Sequence, residues 1–583
     1  MNLPSLLKVD RAGAIALLML IIFSYLSLLN LNALPLWDDE AVQAFIARNL
    51  LETGLPTVWD GRNLFADANG KNITSDLRQI YPQLVYYTKA LVFWLLGDSP
   101  ASGRLISALF GITSMFIVWR ILCREFSTRP RLVLMAFALT CFSPLILLHV
   151  RQLQYYAESL FFNVLLFWLY LCYLERRQTW IIVAITVVAI LSFHANYLTC
   201  AAFLISLAVM HFSFYARSLN LHDYICFAVA SIVWIATAAP ALAFLTGFTE
   251  FSGTDPLLRM TNALTAAIAH IFGLNRNAVL PWPIFIWLFW FVINYLRKIR
   301  NTPSPTTKNP TVPFSTAGNE PIMRYACITL IYVIIVGIAT SSHTYYHWRG
   351  VSARYLVPIV PFTAIVCSAA ADWLMKKTTP LWGWLLFAVM LLSNVLSVPF
   401  INHIEYGNKP LLTLPLLVRE IHQSNRTTGV SISVDYLAQH AKQNDSVLTL
   451  PHHYANPLRY HLGDKLLICC LLDENSHLHN RFKQYPYLFK GHSPNWIIGY
   501  GYPITTDDLN SINKSTGKQY LLRIAFPIYE NGLHPQRPEP TAHIYEIPKT
   551  YDPNYGVYIY HAEPTLDSPS ELTKKSPTSG SSK

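Results

Sequence analysis

A chain with about eleven apolar runs, each long enough to cross the roughly 30 Å of hydrocarbon in a bilayer, has few folds open to it. Inside lipid every backbone N–H and C=O must find a partner within the protein, and a run of this length does so as a helix. The runs lie near residues 12–31, 101–119, 132–149, 157–174, 179–194, 196–214, 223–246, 281–296, 325–340, 355–374 and 381–399. Charged side chains make up only 13% of the 583 residues, against about a quarter in soluble domains. The net charge of +11 does not point to nucleic acid, because Lys and Arg sit in short clusters between the runs rather than along one soluble face.

Those clusters report topology. Lys8 and Arg11 precede the first run, Arg120, Arg124, Arg129 and Arg131 follow the second, and Arg176 and Arg177 follow the fourth. Arg217, the linker from Arg297 to Arg324 and the pair Lys376-Lys377 fall on the same side, which the positive-inside rule makes cytoplasmic. The N-terminus is then inside and the C-terminus outside. The first run has no small-x-small cleavage site and reads as a retained span. Pro82 to Leu96 is apolar but short and carries Lys89 at its middle. Counting it as a span would invert the later Arg cluster, so it is expected to be an interfacial helix, with Tyr86, Tyr87 and Trp94 at headgroup depth.

The expected organisation is a transmembrane domain over residues 1–401 whose first external loop is 32–100, a soluble extracytoplasmic α/β domain over 402–563, and a disordered tail over 564–583. Within the first loop, apolar Val42, Phe45, Ile46 and Leu50 predict a helix from Asp39 to Glu52, stopping at Gly54. In the soluble domain, Ser446–Leu450, Lys465–Ile468 and Trp496–Tyr500 read as strands and Ile432–Ala441 as a helix. The fold class is a polytopic α-helical membrane protein with a C-terminal α/β domain. Seven of the nine cysteines lie in or beside apolar runs and Cys469-Cys470 are adjacent, so neither a disulfide framework nor a zinc site is expected.

The residues that suggest chemistry are Asp38, Asp39 and Glu40, which follow Trp37 at the head of the loop helix. Acids suit a helix start, as caps and as partners of the helix dipole. Three in succession exceed what a cap needs, and a carboxylate at a membrane surface can act as a general base on a hydroxyl. Asp60, in Trp59-Asp60-Gly61, fits a turn or a substrate contact.

The runs WDDEAVQAFIARNLLETG, TVWDG, YPQLVYYTKALVFWLLGDSPASGRLISALFG, HVRQLQYYAESL and ARYLVPIVPF resemble, in order and spacing, the GT-C membrane glycosyltransferases. The branch resembled is the protein O-mannosyltransferase and aminoarabinose lipid A transferase superfamily. In the soluble domain the resemblance is confined to SVLTLPHHYANPLRYHLG and RPEPTAHIYEIP. It implies a polyprenyl-phosphate sugar donor and an inverting single displacement. Asp39 then aligns as the base, Glu40 as its neighbour, and Asp38 is an extra acid. The chain departs from the lipid A branch at Tyr81-Pro82, where that branch has Lys-Pro, and many relatives have Arg where Gln154 stands.

A leaving phosphate is best met by a guanidinium fork, and Arg104, Arg349 and Arg354 are the candidates; headgroup contact is the competing reading for each. Arg151, Tyr155 and His347 are candidate substrate contacts at the same surface, where His194, Asn196 and His343 also lie. A divalent metal ion stays open as a cofactor, with no ligand set assigned. The expected partners are the polyprenyl-phosphate donor, a lipid, glycan or protein acceptor, and membrane lipids, in a bacterial inner membrane. The rival reading is a transporter or flippase of a lipid-linked substrate, which ordinarily places acids near mid-span. Here Glu158, Asp223 and Asp372 all fall near span ends. The topology predicts that single cysteines at Ser75, Ser342 and Thr428 react with an impermeant thiol reagent on intact cells while one at Thr306 does not; labelling at Thr306 would overturn it.

Overall fold

Apolar periodicity becomes helix along most of the transmembrane region. The computed structural model describes residues 11–65, 73–74, 76–79, 82–215, 219–246, 265–268, 293, 320–344, 353–392, 413–423, 428–450, 454–469, 494–500, 504, 506–516, 519–526 and 557–564. The helices are α1 (Arg11–Leu28), α2 (Asp38–Thr53), α3 (Leu84–Leu96), α4 (Pro100–Glu125), α5 (Pro130–Cys141), α6 (Pro144–Val150), α7 (Tyr156–Arg176), α8 (Thr179–Ala195), α9 (Tyr197–Phe214), α10 (Leu221–Thr246) and α11 (Glu320–Thr344). A 3-10 turn (Ala353–Ile359) leads into α12 (Val360–Lys377), followed by α13 (Pro380–Leu392).

Among the described residues seven helices are long and apolar enough to cross a membrane, or eight if the bent pair α5 and α6 forms one span. The chain is an integral membrane protein. The expected span at 281–296 lies outside the described residues save for position 293. The expected span at 132–149 is not one straight helix, since α5 and α6 meet at 49°. Pro144 has no N–H to continue the ladder, and it holds Ser143 extended at φ −62° and ψ 122°. The short α6 then packs tightly on α4. A Cβ added at Gly111 would lie 2.6 Å from Val150 Cγ1, so only glycine permits this approach. Deeper in the bundle, Phe167, Tyr325 and Phe362 from α7, α11 and α12 meet with ring centroids 5.1 to 5.9 Å apart.

The first loop folds on its own small core. Gly54, left-handed at φ 75°, ends α2 by donating to the Leu50 carbonyl at 2.9 Å. Phe45 stacks on Phe65 with centroids 3.7 Å apart, and Tyr86, Ala90 and Phe93 of α3 join the same cluster. This corrects part of the interfacial reading of α3. Tyr87 and Trp94 are exposed, but Tyr86 is buried. Lys89 is fully buried: its Nζ donates to Ser107 Oγ of α4 at 2.7 Å and pairs with Glu158 of α7. A charge that argued for a place at the surface is instead met by a carboxylate, tying α3 to the bundle.

After the bundle come α14 (Leu414–His422), whose Leu417 and Ile421 pack into the bundle core, and then the C-terminal domain with α15 (Gly429–His440), β1 (Ser446–Leu450), α16 (Ala455–Leu462), β2 (Leu467–Cys469), β3 (Trp496–Tyr500), α17 (Thr506–Thr516), β4 (Tyr520–Phe526) and β5 (Val557–Pro564). The sheet runs β2-β1-β3-β5-β4, parallel through β2, β1 and β3 and antiparallel where β5 meets β3 and β4. Val447 of β1 pairs with Ile468 on one side and Trp496 on the other, and β1 reads as a continuous buried run, as a central parallel strand should. The strand expected from Lys465 begins at Leu467, because the N–H groups of Lys465 and Leu466 turn back to the Leu462 carbonyl at the end of α16.

This domain is docked on the first loop through α16 and β2. The Asn63 amide accepts from Ile468 N at 2.8 Å and donates to the Gly463 and Leu466 carbonyls at 3.1 and 3.2 Å, extending the β2 edge by one side chain. Arg62 donates to the Asp464 carbonyl at 2.9 Å and to Asn444 Oδ1 at 2.8 Å. Arg48 of α2 pairs with Asp98 and lies 4.6 Å over the Tyr460 ring. The Tyr460 hydroxyl also donates to Asp98, and burial raises its proton affinity.

His461 is largely buried in the same seam and its Nε2 has no hydrogen-bond partner among the described residues. Burial, reinforced by Arg48 and Arg104, lowers its pKa from 6.5 to about 4. The folded protein keeps this ring neutral, whereas the unfolded chain protonates it below about 6.5. Its contribution is therefore complete above that pH and is lost as the pH falls toward 4. Thermal unfolding of the purified protein should show a steeper loss of Tm between pH 7 and 5 than His461→Gln does; equal slopes would remove His461 from the seam's acid sensitivity.

Candidate active site at the first turn of α2

Trp37, extended at φ −85° and ψ 175°, is the residue before the helix, so Asp38, Asp39 and Glu40 occupy its first turn, and Glu40 Oε2 caps it by accepting from Trp37 N at 3.4 Å. Successive helical residues point about 100° apart, and the three carboxylates accordingly meet three different partners.

Glu40 points inward and is fully buried. Arg104 of α4 grips it in a fork, Nε to Oε1 at 2.9 Å and Nη2 to Oε2 at 2.5 Å, and Leu153 N donates to Oε1 at 2.7 Å. The other N–H groups of Arg104 go to the carbonyls of Leu31 and Leu34, both at 2.8 Å, and of Pro35 at 3.1 Å. Its five donors thus meet five protein oxygens. Arg104 was expected to hold a donor phosphate; in this arrangement it fastens the chain after α1 to α2 and α4.

Asp39 is about a third exposed and pairs with Arg354, Oδ2 to Nη1 at 3.0 Å. Arg354 stands on the 3-10 turn before α12, within 3.4 Å of the Tyr156 hydroxyl and 5.3 Å from the centroid of the Tyr355 ring. Its Nε is buried with no partner among the described residues. The Tyr156 ring is held edge-on by Tyr155 at 4.6 Å and by His149 at 4.7 Å. His149 Nδ1 lies 2.7 Å from the Leu145 carbonyl, which assigns the proton to that nitrogen and leaves Nε2 as the acceptor. Asp38 turns toward the soluble domain and accepts from the amide of Asn456.

The structure therefore gathers Asp39, Glu40, Arg104, Arg354 and Tyr155 at one junction. Asp60 is elsewhere and acts as a turn residue, its Oδ1 accepting from the N–H groups of Arg62 and Asn63 at 2.7 and 2.6 Å. Arg151 donates to the Leu26 carbonyl at the end of α1. Asn196 caps α9 by accepting from Thr199 N at 2.9 Å. Arg349 and His347, and the side chain of His343, lie outside what is described. His149 and Asn456 were not singled out from sequence. Their signal was present, since both lie inside runs that carry the family resemblance, HVRQLQYYAESL and HHYANPLRYHLG.

Among the described residues no group of three or more His, Cys, Asp and Glu side chains is arranged to hold a metal ion. The triplet itself does not fit one, because its carboxylates diverge onto Arg104, Arg354 and Asn456.

No family model matches the sequence, and no curated protein matches it. Solved structures resemble the fold. ArnT from Cupriavidus metallidurans in the apo state is 12% identical with TM-score 0.49, the match covering 88% of this chain and 96% of that one. ArnT from the same organism bound to undecaprenyl phosphate is 12% identical with TM-score 0.45, over 89% and 97% of the two chains. The Archaeoglobus fulgidus oligosaccharyltransferase in the apo form is 14% identical with TM-score 0.43, over 85% and 70%. At these values the likeness says nothing of chemistry.

The two acid pairs should separate in a stability measurement. Glu40→Gln leaves the buried Arg104 charge without a counterion, which costs about 3–5 kcal/mol, while loss of the half-exposed Asp39 pair in Asp39→Asn costs about 1 kcal/mol or less. Thermal unfolding in detergent should rank them in that order, and equal Tm values would show that the Glu40 pair does not hold the loop.

Proposed function

We propose that this protein is a GT-C type glycosyltransferase that moves a sugar from a polyprenyl-phosphate carrier to a hydroxyl of a lipid, glycan or protein on the extracytoplasmic side of a bacterial inner membrane. The observation that carries the reading is the Asp39–Arg354 pair, a carboxylate and a guanidinium side by side at the head of the first-loop helix, with Tyr156 in reach of the cation. The order of sequence motifs that resemble the family supports it as well.

In this reading Arg354 receives the donor phosphate and Asp39 receives the acceptor's proton. Before the donor arrives, the guanidinium beside Asp39 favours its ionised form and makes it a weak base. A phosphate that draws Arg354 toward itself relieves Asp39 of that charge, so base strength rises when the donor is in place. The acceptor oxygen then attacks the anomeric carbon with inversion, its proton passes to Asp39, and the bond from the anomeric carbon to the phosphate oxygen breaks. Charge gathers on the departing polyprenyl phosphate, where a preorganised guanidinium is worth on the order of 2–4 kcal/mol. Arg349 belongs to the same phosphate site in this proposal, Tyr155 lines it through Tyr156, and Glu40, gripped by Arg104, keeps the helix start in place beneath Asp39.

The test is sugar transfer by purified protein with an undecaprenyl-phosphate sugar, alongside donor binding. Asp39→Asn keeps the size of the side chain but cannot take the proton, so transfer should fall by about two orders of magnitude or more while donor binding persists. Arg354→Ala should weaken both, and Arg354→Lys should rescue poorly because it lacks the fork. Full transfer by Asp39→Asn would refute the base assignment, and wild-type behaviour of Arg354→Ala would refute the phosphate site.

A further inference from the structure

The C-terminal domain reaches the first turn of α2 with a side chain whose orientation its partners determine. Asn456, early in α16, donates from Nδ2 to Asp38, while its Oδ1 accepts from Arg459 Nη1 at 2.6 Å. A guanidinium can only donate and an ionised carboxylate can only accept, so the amide oxygen must face Arg459 and the amide nitrogen Asp38. Arg459 is itself fixed. It is buried, its guanidinium lies 5.6 Å over the Phe65 ring of the first loop, and its Nη2 points at the Ile468 carbonyl of β2 at 3.5 Å. A chain of hydrogen bonds thus runs from the sheet through Arg459 and Asn456 to Asp38, the residue next to the proposed base.

We propose that Asn456 is a positioning residue for transfer: by holding Asp38 it sets the first turn of α2, and with it the direction of Asp39, so that the site is complete only with α16 docked. This rests on the function proposed above and gives the soluble domain a part in the chemical step. The physical need is plain. Asp38 and Asp39 are like charges on consecutive residues, and a donor on Asp38 favours the rotamer that points away from the cation serving its neighbour. The amide of Asn456 satisfies Asp38 from the opposite direction without adding charge.

The experiment uses the full-length protein with an undecaprenyl-phosphate sugar as donor. Asn456→Asp sets a carboxylate against Asp38, and the turnover number should fall about tenfold or more, the worth of a hydrogen bond to a charged group, with KM for the donor little changed. The double variant Asp38→Asn with Asn456→Asp exchanges donor and acceptor while keeping the hydrogen bond, the net charge and an acceptor for Arg459. It should return turnover to within about threefold of the wild type. That rescue cannot come from a residue that merely fills space. Wild-type turnover in both Asn456→Asp and Asn456→Ala would overturn the proposal, as would a double variant no faster than Asn456→Asp. Asp39→Asn run in parallel separates the two levels. If it is inactive while the Asn456 variants are fully active, only the positioning role falls; if it is fully active, the functional reading itself falls.

Discussion

The bidentate pair between Arg104 and Glu40 is the constraint on which the rest of the site depends. A buried charge must be met in full or it destabilises the fold, and here a guanidinium with five donors is met by one carboxylate and three carbonyls from the segment between α1 and α2. One side chain of α4 thereby fixes where the first span ends, how the chain turns and where α2 begins. Leu153 N, bonding to the same carboxylate, brings in the α6–α7 turn. The elements that carry Tyr155, Tyr156 and His149 are thus referred to the same point as the elements that carry Asp39.

Two further buried polar contacts extend this frame. Lys89 and Glu158 lock α3 to α7 beneath the loop, and Ser107, which accepts from Lys89, also lies 3.5 Å from the Gln154 carbonyl. On the other side, Asn63 satisfies two carbonyls and one N–H at the margin of β2, so the sheet of the soluble domain begins at a residue of the membrane domain's loop. The loop is a joint with a rigid attachment on each face. Such rigidity holds the first turn of α2 in place while the Asp39–Arg354 pair beside it stays partly exposed.

Much of the fold was legible from sequence because it rests on length and periodicity. Nearly all the expected spans coincide with helices, and the loop helix and three strands of the soluble domain appear within a residue or two of where alternation and punctuation put them. What escaped was set by tertiary partners. Nothing local distinguishes a Lys at mid-helix that faces lipid headgroups from one that faces Glu158, so Tyr86 and Lys89 were placed at the surface. Likewise Arg104 has the residue type a phosphate site wants, and only the distances show that its donors are already engaged. The bend at Ser143-Pro144 was written in the sequence but outweighed by the continuous apolarity of the run.

The three acids show why residue type alone could not assign roles. Their order along the chain is fixed, but a helical turn sends each to a different environment: Glu40 into the protein, Asp39 to a partly exposed cation, Asp38 to another domain. An acid held on every side by donors is structural, because protonating it would break the contacts that place it. Asp39 differs in that its cation remains a quarter exposed and, among the described residues, has no hydrogen-bond partner for its Nε. A pair of that kind can be opened by an incoming anion without unmaking the fold, and that property, more than acidity or position, is why the proposed function gives the proton to Asp39 and not to its neighbours in the triplet.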